Sequence, residues 1–245
     1  MKNNNIQDRK NFARYHSIET LGTVDGPGIR FVIFMQGCPL KCKYCHNRDT
    51  WDMSAGKIIE LKELHEKILN YKEYISNSGG VTITGGEPLL QSEFIIELFK
   101  RLKKDGIHTC IDTSGMVELT DTIKELIELT DLFLVDIKHI DSDKCKELVG
   151  FDNKKELNFL KYLSQIGKET WIRQVIIPGI TDNEQDLKKL GEFIKSLNNV
   201  SNVELLPYHN LGKYKWDNLG VKYELEGIRS ANDEDIERAK NIIGI

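Results

Sequence analysis

Cys38, Cys42 and Cys45 place three thiols within eight residues, in the run GCPLKCKYCHNRDTW from Gly37 to Trp51, although the chain has only five cysteines. Gaps of three and then two residues let one loop wrap three thiolates around three corners of an iron-sulfur cube. Cys110 and Cys145 lie far along the chain, in a predicted strand and a predicted helix, so neither is an obvious fourth ligand. One iron is then left open to another molecule. A structural zinc ion competes for the same motif, but zinc wants four protein ligands, often as paired C-x-x-C knuckles. No second knuckle follows, and His46 stands too near Cys45 to complete such a site easily. A disulfide framework fits less well, because five cysteines in 245 residues with no secretory signal read as a reduced intracellular protein.

The other polar groups fall at the ends of predicted strands. Phe31 to Met35 leads into the cysteine loop, and Val81 to Thr84 ends in Gly85, Gly86, Glu87 and Pro88. His108 to Ile111 ends in Asp112 and Thr113, and Leu132 to Ile137 runs through Asp136 to Lys138. Thr170 to Ile177 carries Arg173, and Val203 to Leu206 is followed by Pro207, Tyr208 and His209. Helical periodicity separates these strands: Leu61, Leu64, Ile68 and Leu69 mark a helix over 61–76, and Phe94, Ile95, Leu98 and Leu102 mark the next. Ile123, Leu126 and Ile127 line a third, with further helices over 141–149, 154–166, 183–197 and 233–243.

Strand then helix, repeated at roughly 25 to 40 residues, is the pattern of a parallel sheet with right-handed crossovers. The chain is too short for eight ordinary repeats, so the expected fold is α/β, an open partial (βα)6 barrel of parallel strands. Its active site lies at the C-terminal ends of the strands, where barrels place catalytic residues. Arg14 to Thr20 reads as a short edge strand, and residues 1–13 as a flexible terminus on a single domain spanning 1–245.

At those strand ends, Gly85, Gly86 and Glu87 read either as a turn with a helix start or as backbone brought close to a ligand. Asp136 and Lys138 point one way and Ile137 the other, which suits either a polar pair on a ligand or a buried ion pair. Arg173, inside an apolar strand, requires a carboxylate from ligand or protein. His209 alone is an ordinary hydrogen-bonding residue. Asp112 and Asp136 end neighbouring strands, and two carboxylates in one pocket raise each other's pKa unless positive charge lies between them. Lys138 supplies such charge, and a hard cation bound by Asp112, Thr113 and Asp136 is the further expectation. Lys41, Lys43 and Arg48 are either a solvated loop or a landing place for an acidic electron donor.

Composition excludes little else. Hydrophobic residues are 40% and charged residues 29%, ordinary for a globular protein. The net charge of −4 calls for no nucleic-acid partner. No apolar run approaches the roughly 20 residues of a membrane span, so no membrane partner and a cytoplasmic location are expected.

The cysteine spacing, with Tyr44 before the last cysteine, resembles the signature of the radical S-adenosylmethionine superfamily. The flanking runs CHNRDTW (45–51), GTVDGPGIR (22–30) and LLPYH (205–209) are similar to its glycyl-radical enzyme activases. The resemblance implies one [4Fe-4S] cluster on Cys38, Cys42 and Cys45, with S-adenosylmethionine bound at the open iron. Reductive cleavage to methionine and a 5'-deoxyadenosyl radical follows, and then abstraction of a glycine α-hydrogen from pyruvate formate-lyase. Reduced flavodoxin or ferredoxin is the implied electron donor, and a monomer the expected state. Gly85, Gly86 and Glu87 become the methionine-amine site, with Tyr44, Cys45, His46 and His209 against adenine or cluster. Asp136, Ile137, Lys138 and Arg173 complete the implied cofactor contacts, while Asp25 and Gly28 meet the substrate polypeptide. Rival readings are an anaerobic ribonucleotide reductase activase, a small-molecule radical enzyme, and a non-catalytic iron-sulfur electron carrier.

Overall fold

Continuous apolar runs make strands buried on both faces. In a computed structural model of the chain, which describes residues 8–245, Phe31, Val32 and Ile33 are wholly buried. The chain packs as two compact units. The first comprises the chain through Cys38, then Asp52–Thr113 and Glu118–Phe133; the second comprises Pro39–Trp51, Ser114–Val117 and Leu134–Ile245.

The first unit carries β1 (Phe12–Gly22), β2 (Arg30–Met35), β3 (Lys57–Glu60), α1 (Leu61–Leu69), α2 (Lys72–Ile75) and β4 (Gly80–Gly85). It continues with α3 (Ser92–Lys104), β5 (Thr109–Thr113) and α4 (Asp121–Leu129), and β6 (Leu132–Asp136) begins in it. The second holds α5 (Ser142–Val149), α6 (Lys154–Gln165), β7 (Thr170–Ile176) and α7 (Glu184–Lys195). It closes with β8 (Val200–Pro207), α8 (Lys213–Asn218) and α9 (Asp233–Ile243).

Among the described residues, eight strands lie in the order β3-β1-β2-β4-β5-β6-β7-β8, an open sheet with β3 and β8 at its edges. Pairs β2–β4, β4–β5 and β7–β8 are parallel. The expected open α/β arrangement is therefore present, with two strands added on the β2 side. β1 is not a short edge strand: it runs for 11 residues and pairs antiparallel with both β2 and β3. Phe12 and Ala13 already belong to it, Ala13 at 1% exposure, so these two are not part of a flexible terminus, and residues 1–7 lie outside the described ones. Four residues of β3 are too few for a strand period to show in sequence.

The helix expected over 61–76 is broken. Tyr71 N–H donates to Ile68 O at 2.9 Å, a tightened turn, and its ring packs on Phe31 with centroids 5.6 Å apart. Elsewhere the apolar stripe decides burial as expected: Phe94, Ile95, Leu98, Phe99 and Leu102 of α3 are buried together. In the second unit α7 and α9 pack closely, since a side chain at Gly191 would meet Ile243 O at 2.5 Å. α9 opens with a capping box between Asn232 and Asp235. Among the described residues no helix is long and apolar enough to cross a membrane.

Candidate active site

The second unit holds most of the cysteine loop. Cys42 is buried, Cys45 half-buried, and none of the five cysteines is in a disulfide. Burial pushes the Cys45 thiol up, against hydrogen bonding from Trp51 and Asn47 and the charge of Lys138. The loop is closed from a distance by α8, whose Trp216 donates from Nε1 to Cys45 O at 2.9 Å. Trp216 packs edge-on against Trp51 and Tyr223, each at a 5.4 Å centroid distance. Lys215 Nζ reaches Asn47 Oδ1 at 3.0 Å and Asp49 Oδ1 at 3.2 Å. The loop's cations are absorbed in this packing: Arg48 lies over the Trp51 ring at 3.9 Å and Lys41 at 4.5 Å. Lys43 faces Glu147 at 3.8 Å and Glu224 at 3.9 Å. The three are thus engaged with aromatic rings and carboxylates on their own unit.

Asp136 and Lys138 do point to one side, and they meet each other: Lys138 Nζ donates to Asp136 Oδ2 at 2.8 Å. Burial alone would lower the Lys138 ammonium, but the charge of Asp136, with its hydrogen bond, outweighs it and holds it well above the usual range. Tyr44 lies with its ring centroid 6.0 Å from Lys138 Nζ, and burial pushes its phenol well up. Ile137, on the opposite side, is 1% exposed and its N–H donates to Arg173 O at 2.8 Å. The carboxylate that Arg173 requires comes from Glu204, its register partner on β8, with Nε to Oε2 at 2.7 Å. His46 and His209 pack with ring centroids 4.4 Å apart, tilted by 39°, and His46 Nε2 is 3.0 Å from His209 O. Burial, then the His46 charge, lowers the His209 pKa.

The first unit holds the other candidates. Gly85 takes a positive φ of 107°, and a side chain there would sit 2.4 Å from Met35 N. One at Gly86 would sit 2.2 Å from Gly37 O. These glycines let β4's exit lie backbone against backbone on the residues before Cys38, with Glu87 N–H donating to Gly37 O at 2.8 Å. Glu87 is 1% exposed; its Oε1 accepts from Thr113 Oγ1 at 2.6 Å and from Leu89 N–H at 3.1 Å. Asp112 Oδ2 accepts from Thr84 Oγ1 at 2.9 Å. Of the oxygens expected to hold a cation, Asp112 Oδ2, Thr113 Oγ1 and Asp136 Oδ2 each have a protein partner. Asp25 and Gly28 lie in the turn between β1 and β2. That turn is held by wholly buried Arg30, which bonds to Pro27 O, Val81 O and Thr82 Oγ1. Thr82 Oγ1 in turn donates to Asp25 O at 2.7 Å.

Trp216, Glu204, Arg30 and Glu156, which meets the Lys138 backbone, were not singled out by sequence. Glu204 sits one strand from Arg173 in register, a signal legible once β7 and β8 are paired. Trp216 lies in a polar stretch without period, and Glu156 reads as an ordinary acidic residue of a helix's first turn.

The donor chemistry fits an iron-sulfur cluster, since soft thiolates suit it. A buried polar atom also fits a bound nucleoside: among the described residues His209 Nδ1 has no hydrogen-bond partner.

Residues 32–191 match the profile of the Radical SAM superfamily. The pyruvate formate-lyase 1-activating enzyme of Escherichia coli (strain K12) is 47% identical over 233 residues, 94% of this chain and 95% of that protein. The pyruvate formate-lyase-activating enzyme of Staphylococcus epidermidis is 51% identical over 231 residues, covering 91% and 92%. Among solved structures, a domain of a pyruvate-formate lyase-activating enzyme from Bacteroides vulgatus matches with a TM-score of 0.57 and 28% identity, covering 68% of this chain and 93% of that one.

Proposed function

This chain belongs to the radical S-adenosylmethionine superfamily, and we propose that it activates pyruvate formate-lyase by removing an α-hydrogen from one of that enzyme's glycines. The observation that carries this reading is a single neighbourhood in the second unit. There the Cys45 loop, closed by Trp216, shares its surroundings with Tyr44, the Asp136–Lys138 pair and the packed rings of His46 and His209. Near-complete coverage by activating enzymes about half identical to this chain directs the chemistry to a protein substrate.

When bound, the [4Fe-4S] cluster and S-adenosylmethionine supply the electron and the hydrogen-abstracting radical. The protein's part is to bind, orient and shield. Cys38, Cys42 and Cys45 hold the cluster. Lys138 presents its ammonium to the cofactor's carboxylate, and Asp136 accepts from ribose hydroxyls. His46 and His209 flank the adenine, the unpartnered Nδ1 of His209 supplying one hydrogen bond. Backbone carbonyls at Gly85, Gly86 and Glu87 accept from the cofactor's ammonium, and Arg173 with Ile137 backs the site from β7 and the end of β6. The Tyr44 ring stands beside Lys138. Asp25 and Gly28 receive the substrate polypeptide. Reduced flavodoxin or ferredoxin supplies the electron, and the protein works as a cytoplasmic monomer with one catalytic core.

The test is anaerobic. The cluster is reconstituted and reduced, S-adenosylmethionine and pyruvate formate-lyase are added, and 5'-deoxyadenosine and the protein radical's paramagnetic signal are followed together. Both are expected, and both vanish in Cys42→Ala. Deoxyadenosine without a protein radical would reassign the substrate, and neither product from an intact cluster would leave an electron carrier.

A further inference from the structure

Glu156 is wholly buried in the first turn of α6, yet it forms no ion pair with a side chain among the bonds described. Both its carboxyl oxygens face the backbone N–H of Lys138, at 3.3 and 3.4 Å. One turn earlier, buried Asn153 donates from Nδ2 to His139 O at 2.9 Å and to Ile140 O at 2.7 Å. The start of α6 therefore grips the main chain at 138, 139 and 140, the stretch just after β6 ends at Asp136.

β7 reaches this side as far as Ile137, whose N–H donates to Arg173 O; beyond it, a buried backbone donor needs an acceptor from elsewhere. An apolar side chain would fill the space of Glu156 with less desolvation cost, so the carboxyl is explained by what it meets at Lys138, the ammonium's charge and the backbone N–H. The direction of Lys138 follows from its own backbone, and its Nζ bridges to Asp136 at 2.8 Å beside Tyr44.

We propose that Glu156, assisted by Asn153, is a positioning residue: it fixes the backbone at Lys138 so that the Asp136–Lys138 pair presents a preset face to S-adenosylmethionine. The inference rests on the reading of Asp136 and Lys138 as cofactor contacts. Glu156 acts through the main chain and does not itself touch the cofactor.

The experiment uses reconstituted holoenzyme and three readouts: S-adenosylmethionine affinity by anaerobic calorimetry, iron content, and amide hydrogen exchange of the peptide spanning 137–140. Glu156→Leu, which offers no acceptor, is expected to weaken affinity about tenfold and to speed exchange of that peptide, with iron content retained. Glu156→Gln keeps a carbonyl acceptor and is expected to restore affinity to within about twofold of the native protein. In a Lys138→Ala background, Glu156→Leu is expected to add no further loss, because a contact acting through Lys138 has nothing left to position. Should Glu156→Leu not fold, Asn153→Ala carries the same test, with faster exchange at 137–140 and weaker affinity expected. Native affinity in Glu156→Leu or Asn153→Ala, or undiminished additivity with Lys138→Ala, would overturn the proposal. If Lys138→Ala alone leaves affinity unchanged, the cofactor reading of the pair fails first and the positioning role falls with it.

Discussion

Trp216 Nε1 and the carbonyl oxygen of Cys45 are hydrogen-bonded at 2.9 Å although the residues are 171 positions apart. A short helix late in the chain therefore decides how the last cysteine of the loop is held. The indole is 1% exposed, and rings of Trp51 and Tyr223 meet it edge-on, so the donor arrives already oriented.

Trp216→Phe keeps most of the ring packing and removes the donor, leaving the Cys45 carbonyl without that bond. Destabilisation of about 1 to 2 kcal/mol is expected, together with faster iron loss when the reconstituted protein meets a chelator. Anaerobic urea unfolding and timed iron release measure the two effects. Iron release at the native rate would detach α8 from the loop's integrity.

Gly86→Ala drives a Cβ to 2.2 Å from Gly37 O, a backbone atom that has no rotamer by which to retreat. The register between β4's exit and the residues before Cys38 must shift, at a cost of about 3 kcal/mol or more. Gly167→Ala is the control: its φ is 68°, but nothing lies within 4 Å, so only the left-handed backbone cost of about 1 to 2 kcal/mol applies. Reconstituted iron content is expected to fall in the first variant and stay native in the second.

The Arg229 guanidinium, followed by the Asn232 backbone, holds the Asp235 carboxyl at about 2, below its ordinary 3.8. Arg229 meets both carboxylate oxygens, at 2.6 and 2.7 Å. Because the folded value lies below the unfolded one, the stabilisation is fully present above the ordinary carboxylate value and is lost as pH falls toward 2. Arg229 is largely exposed, so solvent screens the pair. Arg229→Met is expected to lower the urea midpoint by about 0.3 M near pH 6, with the gap to the native protein closing as the pH drops. A gap that persists unchanged down to pH 3 would assign the loss to packing.

The strand-and-helix alternation was legible because each element's periodicity is local: α9 spans Asp233–Ile243 as its sequence predicts. The same is true of the Asp136, Ile137 and Lys138 alternation, which places Lys138 Nζ on Asp136. Where contacts from elsewhere compete with local pattern, reading failed. The helix after β3 breaks at Tyr71 because its ring packs on Phe31, and β1 extends to 11 residues because β2 and β3 supply hydrogen-bond partners on both edges. Glycines at 85 and 86 could be noticed in sequence, but not that the backbone they admit belongs to Met35 and Gly37.

The sequence by itself determined the chemistry: three thiols at short spacing are a property of one loop, and the polar residues that follow each strand are counted along the chain. What only the tertiary structure decided is how those groups are held. Arg173 was bound to require a carboxylate, but that it is Glu204 follows from the register of β7 on β8. Lys41 and Arg48 read as free charge beside the thiols until Trp51 and Trp216 brought rings to them. Glu156 looks like any acid in a helix's first turn until α6 sets it against the Lys138 backbone. Charge and donor type are written residue by residue, whereas the partner that satisfies a buried group is chosen by packing between segments far apart in sequence.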